Sequence, residues 1–142
     1  MDAAFVLPVR VYFEDTDSGG VVYYANYLKF YERARSEWLR ALGISQQSLA
    51  QERRILFVVR NVAVAYHRPA VLDDALSVTL DVAKVRGASI EFEQKVVRDA
   101  DGALCSSCRV TIVCVDGGKM KPAAFPEDIL EKFQAASGSR KS

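Results

Sequence analysis

The sequence predicts an α+β domain of two layers, in which an antiparallel sheet wraps one long helix. Three observations predict it. Residues 26 to 42 carry apolar groups at helical spacing, and no other stretch of comparable length does. Between residues 55 and 116 four β-type stretches follow one another, joined by turns too short for parallel crossovers. The chain has 142 residues, half of them hydrophobic, with no internal repeat and no linker, so a single domain over residues 1–142 is expected.

The elements follow in order. VRVYF (9 to 13) alternates and reads as a strand ending near Glu14. From Asn26 to Leu42 the period changes: Leu28, Tyr31, Arg35, Trp38, Leu39 and Leu42 share one helical face, and Tyr27, Phe30, Ala34 and Ala41 widen it. Arg33 and Glu37 are spaced for an i,i+4 pair. Gly43 is a natural stop. Ser45 to Glu52 reads as a short helix capped by Ser45. ILFVVRNVAVAYH (55 to 67) is a long strand, ended by Pro69 and the Asp73-Asp74 pair. ALSVTLDVAKV (75 to 85) alternates, Arg86-Gly87 turns, and ASIEFEQKVVRD (88 to 99) alternates again. Asp101-Gly102 is a hairpin signal, and ALCSSCRVTIVCVD (103 to 116) follows it until Gly117-Gly118. Pro126 to Ala136 reads as a C-terminal helix, with a disordered polar tail from about residue 137 to 142. A sheet of this kind leaves an edge or face to cover, which predicts self-association.

Composition excludes several classes of function. Lys and Arg total 19 against 18 Asp and Glu, a formal net charge of +1, where a dedicated nucleic-acid binder needs a clear basic excess. No apolar run reaches the roughly 20 residues that span a bilayer. The start, MDAAFVLPVRVYFED, meets Pro8 and then charges too early for a signal peptide, so a cytoplasmic protein is expected. Three cysteines make a poor disulfide framework. Cys105 and Cys108 form a CxxC, but on a strand that spacing puts them on opposite faces, and no His lies near. Three reduced thiols in a sheet, and no metal, are expected.

The stretch EDTDSGGVVYYANY (14 to 27) lies between a strand and an apolar helix. The helix start carries unpaired N–H groups and the positive end of the dipole. Asp15 or Asp17 would serve as a loop acid or helix cap, with Gly19 and Gly20 as turn residues. The same parts also make an acyl-transfer site without a Ser-His pair or a metal. Free amides hold a developing oxyanion, a carboxylate acts as base or nucleophile, and Gly20 lets substrate approach the backbone. The single His, His67 in YHRP, has no apparent triad partner. Local spacing leaves both readings of the loop open.

The ordered run E-D-T-D-S-G-G-V-V-Y-Y-A-N-Y-L-K-F-Y-E-R-A-R resembles the signature of the 4-hydroxybenzoyl-CoA thioesterase family of hotdog-fold proteins. Within it, the run is most similar to the acyl-CoA thioesterases encoded with the Tol-Pal envelope system of Gram-negative bacteria. The likeness continues through FVVRNVAVAYHRPAVLDD, VRGASIEF and VCVDGGKMKP, nearly the whole chain. The resemblance implies a hotdog fold that dimerises through edge strands and often pairs into tetramers, with active sites at the dimer interface. It implies that Asp17, the second aspartate of the D-x-D pair, is catalytic, and that the amide of Tyr24 polarises the thioester carbonyl. Members of that group commonly carry His at the position of Tyr24, so Tyr24 is assigned by its amide alone. The resemblance further implies CoA-phosphate contacts at Lys84, Arg86, Lys119 and Lys121, with Ser89 facing the thioester from the partner subunit. Plain solvated charge is the other reading of those four cations.

The expected activity is therefore hydrolysis of an acyl-CoA to free acid and CoA, with no cofactor. A hotdog dehydratase is the enzymatic rival, and it needs a His with an acidic partner. The rival outside enzymes is a module that binds acyl chains or acyl carrier protein without turnover.

Overall fold

The structure is a computed structural model and describes residues 5–138. Strand β1 spans Phe5–Arg10, helix α1 Asn26–Ala41, helix α2 Gln46–Arg53, and strand β2 Ile55–Tyr66. Strands β3 (Ala75–Val85), β4 (Ser89–Arg98) and β5 (Leu104–Asp116) follow, then the two-residue strand β6 (Lys121–Pro122) and helix α3 (Glu127–Gly138). All pairings are antiparallel, in the order β1-β3-β4-β5-β2, with β6 beside the end of β5. Register shifts at Val59/Asn61, Val82/Lys84 and Val96/Val97 place bulges in three strands, and bulges bend and twist a sheet. The bent sheet closes on α1, whose Tyr27, Phe30, Tyr31, Ala34, Trp38 and Leu39 are buried. The two-layer α+β architecture is the expected one.

Four details differ from the sequence reading. The first strand lies at 5–10 rather than 9–13. Asp15 Oδ2 accepts the Tyr12 amide at 2.8 Å, and the Asp15 and Thr16 amides bond Tyr12 and Phe13 carbonyls, so the chain winds into a single 3-10 turn instead of extending. Pro8 is tolerated because β1 is an edge strand with one unpaired side. Leu28 and Ala41 are exposed in α1, so the buried stripe is narrower than the apolar pattern. Glu37 pairs with Arg40 rather than Arg33, whose guanidinium lies 5.9 Å from the Phe30 ring centroid. Helix α3 continues to Gly138, and residues 139–142 of the expected tail lie outside the described residues.

The punctuation between elements follows local chemistry. Gly43 closes α1 at φ +80°, a conformation that costs a residue with a Cβ. Ser45 Oγ accepts the Ser48 amide at 3.1 Å and caps α2. Gly102 turns the β4–β5 hairpin at φ +70°, and Arg98 grips Asp101 through Nε and Nη2 at 3.0 and 2.9 Å across it.

The registers fix where things lie along the sheet. One end gathers Arg10, Ala75, Arg98, Leu104 and Tyr66; the other gathers Val85, Ile90, Val113 and Ile55. Ten steps of β3 separate the ends by roughly 33 Å.

Candidate active site

The two aspartates of the D-x-D pair have opposite surroundings. Asp15 is 5% exposed. Its Oδ2 accepts the Tyr12 amide, its Oδ1 accepts Nδ2 of buried Asn26 at 2.7 Å, and its carbonyl accepts the Tyr23 amide at 2.9 Å. It clips the loop to the first residue of α1. Asp17 is exposed. Its Oδ1 accepts the Gly19 amide at 2.8 Å and, more weakly, the Val21 amide at 3.4 Å. No described residue bonds its Oδ2. The tight turn from Asp17 to Val21, closed by Asp17 N–H to the Val21 carbonyl at 2.8 Å, holds the carboxylate out from the body. Gly20 takes φ +83°, which explains glycine there. A Cβ at Gly19 would lie 3.3 Å from Asp17 Oδ1, so glycine there leaves the carboxylate open.

Neither carboxylate caps α1, although the loop reading allowed either. The residue before the helix is Ala25, which offers no capping side chain. The first turn is wound tightly instead: the amides of Asn26, Tyr27 and Leu28 donate to Tyr23, Tyr24 and Ala25 carbonyls at 2.8, 3.3 and 3.1 Å. That leaves the amides of Tyr24 and Ala25 without an acceptor among the described residues. The positive end of the α1 dipole lies at the same place, so two adjacent free N–H groups open the helix that follows the Asp17 turn.

An open cleft of about 250 Å³ lies beside this helix start, walled by Tyr24, Tyr27, Tyr66, His67, Arg68 and Pro69. Asp17 is not in its wall. The Tyr66 hydroxyl donates to the Tyr24 carbonyl at 3.1 Å, and burial raises the pKa of Tyr66 and of Tyr27. His67 Nε2 lies 3.0 Å from Ser107 Oγ, and no carboxylate contacts it among the described residues. The His-acid pair of a dehydratase is therefore not formed here. Tyr66 and Arg68 escaped the sequence reading, and His67, noted there as the single histidine, was not placed beside Tyr24. They are 42 or more positions from Tyr24, and only the strand register brings them there.

Lys84, Arg86, Lys119 and Lys121 are all exposed and lie at the opposite end of the sheet. Around Lys119 the chain turns tightly, with Asp116 Oδ1 accepting the amides of Gly118 and Lys119 at 2.8 and 3.1 Å. Those amides, first of all Lys119's, hold the Asp116 carboxyl below its usual range. Arg54 joins this group unforeseen: a Cβ on Gly118 would lie 3.3 Å from its Nη1. Its backbone is left-handed at φ 53°, just after α2, and no local sequence signal placed it there. Ser89 is 7% exposed and stands in the wall of the sheet at this same end. Within one protomer the structure does not bring Ser89 or the cations to Asp17.

A second cavity, about 100 Å³, lies under α1 toward the basic end, lined by Leu39, Phe57, Ile90, Phe92, Ile112 and Phe133 with Glu32 and Arg35 on its polar side. The guanidinium of Arg35 donates to Gln94 Oε1 at 3.0 Å, and burial lowers its pKa. The three cysteines are free and buried. Burial pushes the Cys108 thiol up to about 12 and raises Cys105 and Cys114. No group of three or more metal-ligating side chains occurs among the described residues, and none of their helices is long and apolar enough to cross a membrane.

The curled antiparallel sheet closed on one long helix is the hotdog fold, shared with solved thioesterases. The chain belongs to the thioesterase-like superfamily, whose family model matches residues 11–133. It is 50% identical over 133 residues to "Acyl-CoA thioesterase YbgC" of Haemophilus influenzae, covering 94% of this chain and 96% of that one. A probable thioesterase from Bartonella henselae superposes with a TM-score of 0.79 at 34% identity, over 85% of this chain and 98% of that one. Slr0204, a 1,4-dihydroxy-2-naphthoyl-CoA thioesterase from Synechocystis, shares the fold with a TM-score of 0.85 at 22% identity, over 97% and 98% of the two chains.

Proposed function

We propose that this thioesterase hydrolyses an acyl-CoA to the free acid and CoA, with Asp17 as its catalytic carboxylate. One observation carries the reading: Asp17 is exposed with Oδ2 unbonded among the described residues, while its neighbour Asp15 is fully engaged in holding the loop. The 50% identity to a protein named an acyl-CoA thioesterase supplies the substrate class.

The amide of Tyr24 donates to the thioester oxygen as negative charge develops there. Asp17 then follows one of two routes. As nucleophile it bonds the carbonyl carbon, the C–S bond breaks, CoA leaves as thiolate, and water cleaves the resulting anhydride. As general base it takes a proton from a water that attacks the same carbon, and the C–S bond then breaks to release the free acid and CoA thiolate. A single turnover in ¹⁸O-water separates them when the anhydride opens at the Asp17 carboxyl, since label then enters the peptide carrying Asp17.

The two halves of the site lie at opposite ends of one sheet, and a second copy supplies the missing half. Strand β2 is a 12-residue edge with Val59, Val62 and Tyr66 exposed. Antiparallel pairing of β2 with β2 of another copy sets the Ile55 end of one beside the Tyr66 end of the other. Lys84, Arg86, Lys119 and Lys121 of one copy, with its Ser89, then face Asp17, Gly20 and Tyr24 of the other, and the cations take the CoA phosphates. The assembly is a dimer or a pair of dimers, working in the cytoplasm. Acyl carrier protein presents the same thioester on the same pantetheine arm and is the second partner class to try. The test is turnover of a panel of acyl-CoA and acyl carrier protein thioesters, read by thiol release. Binding without release across the panel leaves the acyl-binding module as the answer.

A further inference from the structure

The helix-start amides are only as useful as their orientation, and α1 has no side chain to fix them, because its capping position is Ala25. What touches that turn from outside is Tyr66, the last residue of β2. Its hydroxyl donates to the Tyr24 carbonyl at 3.1 Å, shorter than the 3.3 Å bond that the same oxygen accepts from the Tyr27 amide within the turn. The ring is held on two sides, edge-on to Tyr24 with centroids 6.1 Å apart at 86°, and against Tyr27 at 5.5 Å and 61°. The peptide between Tyr24 and Ala25 is planar and trans, with its C=O and N–H in opposed directions. Fixing the Tyr24 oxygen therefore fixes the Ala25 N–H. A donor on the carbonyl also polarises that peptide and strengthens its N–H as a donor. The Tyr24 N–H belongs to the preceding peptide group, joined to that fixed plane through the Tyr24 Cα.

We infer that Tyr66 is a positioning residue, whose hydroxyl orients and polarises the helix-start peptide so that Ala25 N–H joins Tyr24 N–H in holding the oxyanion. The inference rests on the thioesterase reading of Asp17 and Tyr24 and adds a second amide and the side chain that sets it. It also gives the end of β2 a part in the chemistry. The Tyr66 hydroxyl reaches into the turn from a strand 42 positions away in sequence, so the edge strand and the start of α1 are tied together where the thioester would bind.

Tyr66→Phe removes the hydroxyl and keeps the ring in its aromatic setting. At a half-exposed site this should leave the melting temperature unchanged. The expected result is a kcat lowered about tenfold with KM within about twofold, and the same loss on nucleotide-free thioesters. A second readout needs no turnover. The backbone ¹⁵N resonance of Ala25 should shift, because its peptide loses the hydrogen bond on the preceding carbonyl. A kcat within about twofold of the parent, or an unmoved Ala25 resonance, overturns the inference. Wild-type protein that turns over no thioester strikes the thioesterase reading instead, and the Ala25 resonance alone then decides whether Tyr66 sets that peptide.

Discussion

Changing Asp17 and Asp15 separately to Asn should give two opposite failures, and the structure sets both. Asp17 uses only Oδ1 in the turn, accepting from Gly19 and Val21. Asn offers the same oxygen, so the turn survives and the melting temperature should hold. What disappears is the negative charge and the basicity, and kcat should fall at least about a hundredfold with KM little changed. Asp15 uses both oxygens, each facing a donor, at a site 5% exposed. Asn presents one oxygen and one NH₂, so one donor, either the Tyr12 amide or Asn26 Nδ2, must face another donor. Leaving a buried donor unsatisfied costs about 1–3 kcal/mol, and about 2 kcal/mol lowers Tm by roughly 6 °C in a chain of this size. Activity per folded molecule should fall less than about tenfold, since no reacting group is lost. Thermal melts by circular dichroism and steady-state thiol release on the same preparations read both quantities. Asp17→Asn turning over acyl-CoA within a few-fold of the parent would refute the mechanism and send the search to Glu32, Ser89 and His67.

Lys119 and Lys121 changed together to Ala should raise KM for acyl-CoA about tenfold more than they lower kcat, and leave nucleotide-free thioesters unaffected; an unchanged KM places the nucleotide elsewhere. The Arg98 guanidinium holds the Asp101 carboxyl down at about 2, from an ordinary value of 3.8. A depressed carboxyl stabilises the fold above its unfolded pKa and loses that contribution as pH falls through the folded one. The Tm gap between parent and Asp101→Asn should therefore be full above about pH 4 and close by about pH 2; a gap that persists at pH 2 removes the Arg98–Asp101 pair as its cause. The buried thiols should react with a disulfide reagent at pH 8 only after denaturation, because burial raises their pKa and leaves little thiolate; fast native reaction would mean that the sheet opens.

The sequence made the layers legible because period is a local property. Alternation in 75 to 85 and the Asp101-Gly102 turn placed β3 and the β4–β5 hairpin within a residue or two. It failed at β1 because Val9, Val11 and Phe13 alternate as a strand would, while the force that bends them comes from the Asp15 side chain. Two aspartates two apart look alike in sequence. Only tertiary placement of Asn26 shows that one is a clip and the other is free. Tyr24 came from the family resemblance, and that its amide lacks a partner depends on how tightly the first turn of α1 winds. Tyr66 had no local signal at all.

The separation of acid from cations makes the proposed two-copy site testable. Along β3 the Asp17 end and the Lys84 end lie roughly 33 Å apart, longer than the pantetheine arm that separates a thioester from the CoA phosphates. If β2 pairs with β2 of a second copy, each site takes Asp17 from one copy and Lys119 and Lys121 from the other. Mixing two defective proteins then has a definite outcome. Asp17→Asn is inactive in both sites of its own dimer, and the double lysine variant binds poorly in both. In the mixed dimer one site inherits both lesions and the other inherits neither. After exchange of subunits, thiol release at low acyl-CoA should therefore exceed the sum of the two proteins measured apart, approaching half the parent rate per mixed dimer. Light scattering at micromolar concentration should show a dimer or larger species throughout. A clean monomer, or mixed activity no greater than the sum, would mean that Asp17 and the lysines do not meet across two copies.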